Sequence, residues 1–348
     1  MKLGIAGLPQ SGKSTIFAAL TGARGDEEFH SSSRAETKIA TITVLDERVD
    51  FLSRLYEPKK TAYAKIEYLL PSKIQAASQA RSDGGTWNQL RMCDAILHTV
   101  RNFTGPDGSP PTHDRDFWQI EEEMILNDLV VAEKRIERIE LDRKRGKTEQ
   151  DREYSLVKSC CSHLESGEPL RKIPELASHP LLRGFTFLSA KPELVIINND
   201  DENETVPEWN RTPEGIDRIV VRGRLEMDIA SMSPEEAREF LEAYHIQESA
   251  LDRLIKSSYH LLNRISFFTV GSDEVKAWSI SAGTPAMEAA GAIHSDIQKG
   301  FIRAEVFTFE DLKTHGSFNE VKKAGLVRLE GKEHEVKDGD IINFRFNV

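Results

Sequence analysis

The sequence predicts an α/β protein: a mostly parallel sheet that carries an inserted antiparallel α-helical hairpin and is followed by a compact α+β module. Three observations lead there. Short apolar runs at Lys2 to Ala6, Ala64 to Leu70, Ala95 to Val100 and Glu193 to Ile197 are separated by helical segments, the pattern of strands joined by crossover helices. Ile125, Leu129, Ala132, Ile136 and Ile139, and then Tyr154, Val157, Cys161 and Leu164, recur at spacings of three and four, which puts each set on one helix face. From Ile265 onward the pattern becomes strand-rich, with Gly271, Gly283, Gly300, Gly325, Gly331 and Gly339 as turns.

Taken in order, Lys2 to Ala6 reads as a strand, Gly7 to Gly12 as a turn, and Lys13 to Leu20 as a helix closing at Thr21 and Gly22. Thr37 to Val44 alternates with β-branched residues and reads as a strand. Thr104 to Pro111 holds two glycines and three prolines and reads as a linker. The two helices beyond it meet at Arg143, Lys144, Arg145, Gly146 and Lys147, with glycine where a helix end favours it. Pro169 and Pro174 mark the exit, and strand character resumes at Glu193, so the hairpin is an insertion. Ser233, Pro234, Glu235 and Glu236 form a capping box with proline at the first helical position; that helix ends near Tyr244, and another spans about Glu248 to Leu262. The expected division is 1–110 with 183–264 for the α/β domain, 111–182 for the hairpin and 265–348 for the last module.

The 348 residues suit two or three domains, and 46 Lys and Arg against 57 Asp and Glu leave a net charge of −11. That balance disfavours a globally basic nucleic-acid binder. With 39% apolar and 30% charged residues the chain reads as folded and soluble. No apolar run approaches the eighteen residues of a membrane-spanning helix. Cys93, Cys160 and Cys161 cannot all pair and lack zinc-ligand spacing, so a reducing cytoplasm is the expected location. Cys160 and Cys161 read as packing residues of the hairpin seam. His98, inside an apolar run, reads as a core histidine rather than a base.

Gly7, Leu8, Pro9, Gln10, Ser11, Gly12, Lys13 and Ser14 match G-x-x-x-x-G-K-[ST] between strand and helix. In such a loop backbone N–H groups wrap the phosphates at a helix N-terminus, Lys13 reaches the β- and γ-phosphates, and the Ser14 hydroxyl ligates Mg2+. The phosphate-binding candidates are therefore Gly7, Pro9, Gln10, Ser11, Gly12, Lys13, Ser14 and Thr15, with Lys13 also the catalytic candidate and Ser14 the metal ligand.

With this loop in place, the order of parts resembles the YchF-type branch of the Obg-related P-loop NTPases. The resemblance covers nearly the whole chain and is strongest at Gly300 to Val306, Arg328 to Val348 and Phe267 to Gly271 with Val275 to Trp278. It implies a P-loop NTPase domain, the inserted hairpin, and a carboxy-terminal TGS domain of ubiquitin-like β-grasp type. It further implies a GTP- or ATP-hydrolysing switch associated with ribosomes, with Mg2+ accompanying the nucleotide.

Several of the family's functional positions differ here. The Mg2+-linked D-x-x-G element falls on Leu70, Pro71, Ser72 and Lys73, without its aspartate or glycine, and Ile74 stands where the family has a hydrophobic residue in place of a water-positioning glutamine. Arg34 aligns with the switch threonine, with Ser31, Ser32 and Ser33 close by as alternatives. Base recognition maps to Asn198 and Asp201, with Asp200 as an alternative carboxylate, and to Arg222 and Gly223 in a second loop. The spacing of Asn198 and Asp201 suits guanine while the family's N-x-x-E pattern is linked with ATP, so GTP and ATP both stand. The basic tip Arg143, Lys144, Arg145 and Lys147 is a candidate RNA contact, as is a TGS face for RNA or protein. The function expected is a purine-nucleoside-triphosphate-binding protein with weak hydrolysis in translation, the alternative being a nucleotide-binding scaffold without efficient turnover.

Overall fold

A computed structural model of the protein describes residues 1–24, 37–72, 84–146, 151–244, 246 and 248–347. The readings placed on Ser31, Ser32, Ser33, Arg34, Lys73, Ile74 and Lys147 lie outside the described residues. The chain divides into two units, one of Met1–Ile42 with Glu67–Leu254 and one of Thr43–Ile66 with Ile255–Val348.

Among the described residues, the first sheet has the spatial order β2 (Lys38–Val44), β4 (Ala64–Leu70), β1 (Lys2–Ala6), β5 (Ala95–Asn102), β6 (Glu193–Asn199), β7 (Asp217–Val221). β1 is parallel to β4 and β5, β5 to β6, and β6 to β7. Every residue of β5 and β6 is buried, as expected for central strands of a parallel sheet covered on both faces. The register sets Ala6 against His98 and His98 against Val195. Strand β7 is one that periodicity missed, because its few residues begin with the charged pair Asp217 and Arg218.

Helix α1 (Lys13–Arg24) follows β1, and α7 (Gly223–Ala230) follows β7. Trp87 and Leu90 of α3 (Gly84–Arg91) join Ile120 and Met124 of α4 (His113–Lys144) in a core with Ala6, Ile96 and Leu188. Phe117 of α4 packs with Val100, Val195 and Ile197. The first turns of α4 therefore cover the sheet, although they fall within the 111–182 stretch that the sequence assigns to the hairpin. The helix continues past the sheet and meets α5 (Asp151–Glu165), where Ile125, Ala132, Val157, Cys160, Cys161 and Leu164 form a separate core. Both cysteines are free, and burial pushes their thiols up to about 12 and about 11, which suits packing rather than redox chemistry.

The hairpin's exit is tied down by Asp128. Fully buried, its carboxylate accepts hydrogen bonds from Arg91 (2.8 Å), from the backbone N–H groups of Leu188 (3.0 Å) and Ser189 (2.7 Å), and from the Ser189 hydroxyl (2.8 Å). A short α6 (Pro174–Ala177) lies within that exit. The capping box at Ser233 and Glu236 forms as expected and opens α8 (Pro234–Ala243), which α9 (Ala250–Leu261) follows.

In the second unit the described strands run β11 (Arg328–Glu330), β10 (Phe301–Thr308), β12 (Asp340–Phe346), β8 (Arg264–Thr269), β9 (Glu274–Ser281), β3 (Lys60–Ala62). β8 and β9 are antiparallel, β12 and β8 parallel. Helix α10 (Ala286–Ile293) packs Ala286, Ala289 and Ala290 against Phe267, Ala304, Val306, Ile342 and Phe344, the β-grasp arrangement. The tail strands β11 and β12 flank β10 rather than pair with each other. Helices α10, α11 (Ser295–Lys299), α12 (Phe309–His315) and α13 (Phe318–Lys323) stand in a region whose sequence reads as strand-rich.

Residues 43–66, which the sequence places within 1–110, group with this carboxy-terminal unit. They supply β3, parallel to β9, and α2 (Glu47–Tyr56), whose Arg48 bonds Asp46 (2.8 Å) and Asp338 (2.6 Å). Its guanidinium lies 5.0 Å from the centre of the Phe268 ring, and Phe51 meets Phe309 edge-on at 5.4 Å. Strand pairing across so long a stretch of sequence leaves no local periodicity to read. No helix among the described residues is long and apolar enough to cross a membrane.

Candidate functional site

The loop from Gly7 to Gly12 leaves β1 at its C-terminal end and enters α1, the place where an open α/β sheet presents a ligand crevice. Gly7 (φ 144°), Gln10 (φ 65°) and Gly12 (φ 92°) have positive φ. Such turns point successive N–H groups to one side and make an anion-binding concavity. Only glycine fits at the two ends. A Cβ on Gly7 would lie 2.3 Å from the Thr99 carbonyl oxygen, and one on Gly12 would lie 2.0 Å from Asn198 Nδ2. The first turn of α1 adds N–H groups that have no acceptor within the helix.

Lys13 opens α1 and folds back over the loop, its Nζ donating to the carbonyls of Gly7 (2.8 Å) and Leu8 (2.6 Å). Burial lowers this ammonium to about 8, since desolvation disfavours the charged form. Pro9, Gln10 and Ser14 are exposed, Thr15 is half-buried, and Ser11 is buried in the loop floor.

Of the base-recognition candidates, Asn198 reaches the same loop. Asn198, buried at the end of β6, donates from Nδ2 to the Ser11 carbonyl (3.1 Å) and accepts at Oδ1 from the Gly223 N–H (3.0 Å). One side chain thus joins the phosphate loop to the start of α7. Asp201 accepts from the Leu225 N–H (3.1 Å), and Arg222 donates to the Asp201 carbonyl oxygen (3.3 Å) while pairing with Glu204 (2.7 Å). Asp200 is exposed.

The hairpin tip lies elsewhere, and the D-x-x-G position differs in chemistry. The tip residues Arg143, Lys144 and Arg145 sit at the far end of α4, roughly 48 Å along the helix from His113 at 1.5 Å per residue. Arg143 bonds Asp151 (2.6 Å) and lies 4.0 Å from the Tyr154 ring centre, whereas Lys144 and Arg145 are exposed. Leu70, where the D-x-x-G aspartate would stand, is a buried apolar residue ending β4, and Ser72 beyond it is tied to Thr86 and Gln89 of α3.

A cluster that sequence reading did not assemble joins β5 and β6 to α4 and the hairpin's return. His98 Nδ1 is 2.7 Å from Glu193 Oε1, and both side chains are fully buried. Arg171 bonds Glu193 and also grips Glu121 (2.7 and 3.1 Å). His98 stacks on Phe117 at 4.8 Å. Arg171 and His98 hold the Glu193 carboxyl below its usual range despite burial, whereas burial and the Glu193 charge push Glu121 up to about 8. The available signal was a titratable residue in each of two apolar strand runs, His98 within β5 and Glu193 at the start of β6.

The glycine turn between a parallel strand and a helix, with its lysine at the helix start, defines a P-loop protein, here with a β-grasp module. A family model named YchF-GTPase_C, described as protein of unknown function (DUF933), matches residues 264–347. The Bacillus subtilis (strain 168) protein named ribosome-binding ATPase YchF is 37% identical over 362 residues, with 99% of each chain covered. A protein of the same name from Escherichia coli O157:H7 is 35% identical over 361 residues, covering 100% of this chain and 99% of its own. The solved structure of the Schizosaccharomyces pombe YchF GTPase has a TM-score of 0.83 and 27% identity, with 99% of this chain and 97% of that one covered. The chain belongs to the YchF family.

Proposed function

We propose that this protein binds a purine nucleoside triphosphate, GTP or ATP, in the Gly7–Ser14 loop and hydrolyses it as a ribosome-associated switch. The observation that carries the reading is the loop itself, with three positive-φ positions and the Lys13 ammonium folded over it. The name shared by the relatives, ribosome-binding ATPase, supports turnover and a ribosomal partner.

On this reading the phosphates take up the loop N–H groups, and Lys13 exchanges the carbonyls of Gly7 and Leu8 for phosphate oxygens, where its charge stabilises the transferring group. Asn198 keeps the loop and the start of α7 in register, which sets the base pocket between Asp201, Arg222 and Gly223. Mg2+ would be held by Ser14, and it supplies neutralisation of phosphate charge. The fit rests on one exposed hydroxyl, since Leu70 offers no side-chain oxygen; Mg2+ commonly keeps several waters and takes few protein ligands beside the phosphates. Exposed Lys144 and Arg145 at the hairpin tip suit contact with ribosomal RNA phosphates.

The test is calorimetric binding and turnover with ATP and GTP for the native chain and Lys13→Ala, with ribosome co-sedimentation in parallel. Turnover lost in the variant supports the proposal. Binding without turnover in the native chain overturns hydrolysis and leaves a nucleotide-binding scaffold, and absence of binding overturns both.

A further inference from the structure

We propose that the buried cluster of His98, Glu193, Arg171 and Glu121 is a relay that couples the base of the helical hairpin to the floor of the phosphate loop. Its nucleotide-linked consequence rests on the function proposed above, but the coupling itself is a property of the free chain.

The four side chains come from four segments: β5, β6, α4 and the turn at Leu170–Lys172 by which the hairpin returns to the sheet. At the loop end, His98 lies in register with Ala6, the residue before Gly7, and the next carbonyl on β5, that of Thr99, abuts Gly7 closely enough to exclude a Cβ. At the hairpin end, the Arg171 N–H donates to the Ser189 carbonyl (2.8 Å), and the neighbouring Ser189 N–H is bonded to Asp128 of α4. Movement of the hairpin base therefore reaches β5 through two charged contacts, Arg171 to Glu193 and Glu193 to His98. Buried contacts of this kind have few alternative partners, so they transmit displacement rather than absorb it.

The cluster also balances its charge through one proton. Arg171 offsets Glu193. A carboxylate only accepts, so His98 Nδ1 carries the proton in the bond to Glu193. Burial and the Glu193 charge favour Glu121 as the acid, which leaves Arg171 to offset Glu193. Other charged groups near the cluster are Lys172 and Glu168 on the hairpin exit, Arg211 and Glu214 ahead of β7, Asp116 and Arg115 on α4, and Arg101 on β5. Glu121 and Arg171 also line a cavity of about 270 Å³ with Trp118, Arg211 and Ile216, which gives the proton a way in and out. A partner that shifts the hairpin base would alter the loop floor, and by reciprocity nucleotide in the loop would alter the hairpin base.

The experiment is hydrogen exchange on the full chain without nucleotide, comparing native protein with Arg171→Gln and with Arg135→Gln, which breaks the Arg135–Glu153 pair (2.7 Å) farther along the hairpin. Arg171→Gln is expected to speed exchange of amides 7–14 by roughly tenfold, the scale of local opening when a buried charge loses its partner, and Arg135→Gln to leave them unchanged. Faster exchange confined to 169–189 overturns the relay. Should Arg171→Gln not fold, Glu121→Gln keeps a hydrogen-bond donor and removes the titrating proton. Native loop protection, corrected for intrinsic exchange, is then expected to change more between about pH 7 and 9 than the variant's, which keeps only the part due to Lys13; identical profiles overturn the relay. Adding ATP or GTP, with binding measured separately, tells loss of coupling from loss of nucleotide binding.

Discussion

Burial and charge oppose each other at Lys13. The ammonium is lowered to about 8 by desolvation, and phosphate oxygens would favour its charged form. Nucleotide affinity is therefore expected to hold below pH 8 and to fall above it by up to tenfold per pH unit, with proton uptake on binding; titration calorimetry in buffers of different ionisation enthalpy measures both. Gly12→Ala meets Asn198 at 2.0 Å and strains a φ of 92°, so a loss of more than about 2 kcal/mol is expected in chemical denaturation. Glu121 acts on stability in a different pH window. Its folded value of about 8 lies above the unfolded 4.5, so its contribution is full below pH 4.5 and is lost as pH rises through 8. Melting temperatures of Glu121→Gln across pH 4 to 9 should lack that decline; a parallel decline in the variant would assign it to another group.

Among the elements, those with a strong local signal were legible. The phosphate loop, the two buried strands β5 and β6 and the capping box at Ser233 were all readable, because glycine spacing, apolar runs and capping chemistry are local. Strand β3 was not, having three residues and a partner far along the chain. Helix α10, alanine-rich and short between glycine turns, could be taken for part of a strand-rich region. At the site, Lys13 and Asn198 were visible through motifs, whereas the carboxylate pair of Glu121 and Glu193 needs Arg171 to bring it together and Arg171 lies in neither motif. Arg48 belongs to this scale too, since it ties α2 to the carboxy-terminal sheet through Asp338 and Phe268. Its side chain is 28% exposed, and Arg48→Ala is expected to cost the second unit about 1–3 kcal/mol, read from the denaturation of probes in that unit.

For the whole molecule, the second unit is assembled from Thr43–Ile66 and Ile255–Val348, while the family model spans only 264–347. A fragment of residues 264–348 lacks β3 and α2, leaving the edge of β9 and the rings of Phe268 and Phe309 without Arg48 and Phe51. It is expected to melt well below the same fragment joined to residues 43–66 by a flexible connector; equal melting points would show the first piece to be dispensable. During synthesis, residues 43–66 leave the ribosome long before β9 and β12 exist. At 5–20 residues per second the interval is roughly 10–60 s, in which the apolar side of α2, Val49 and Leu52 included, has no sheet to rest on. This early piece is where a nascent-chain chaperone would be expected to bind, and where a slowed ribosome would do most harm.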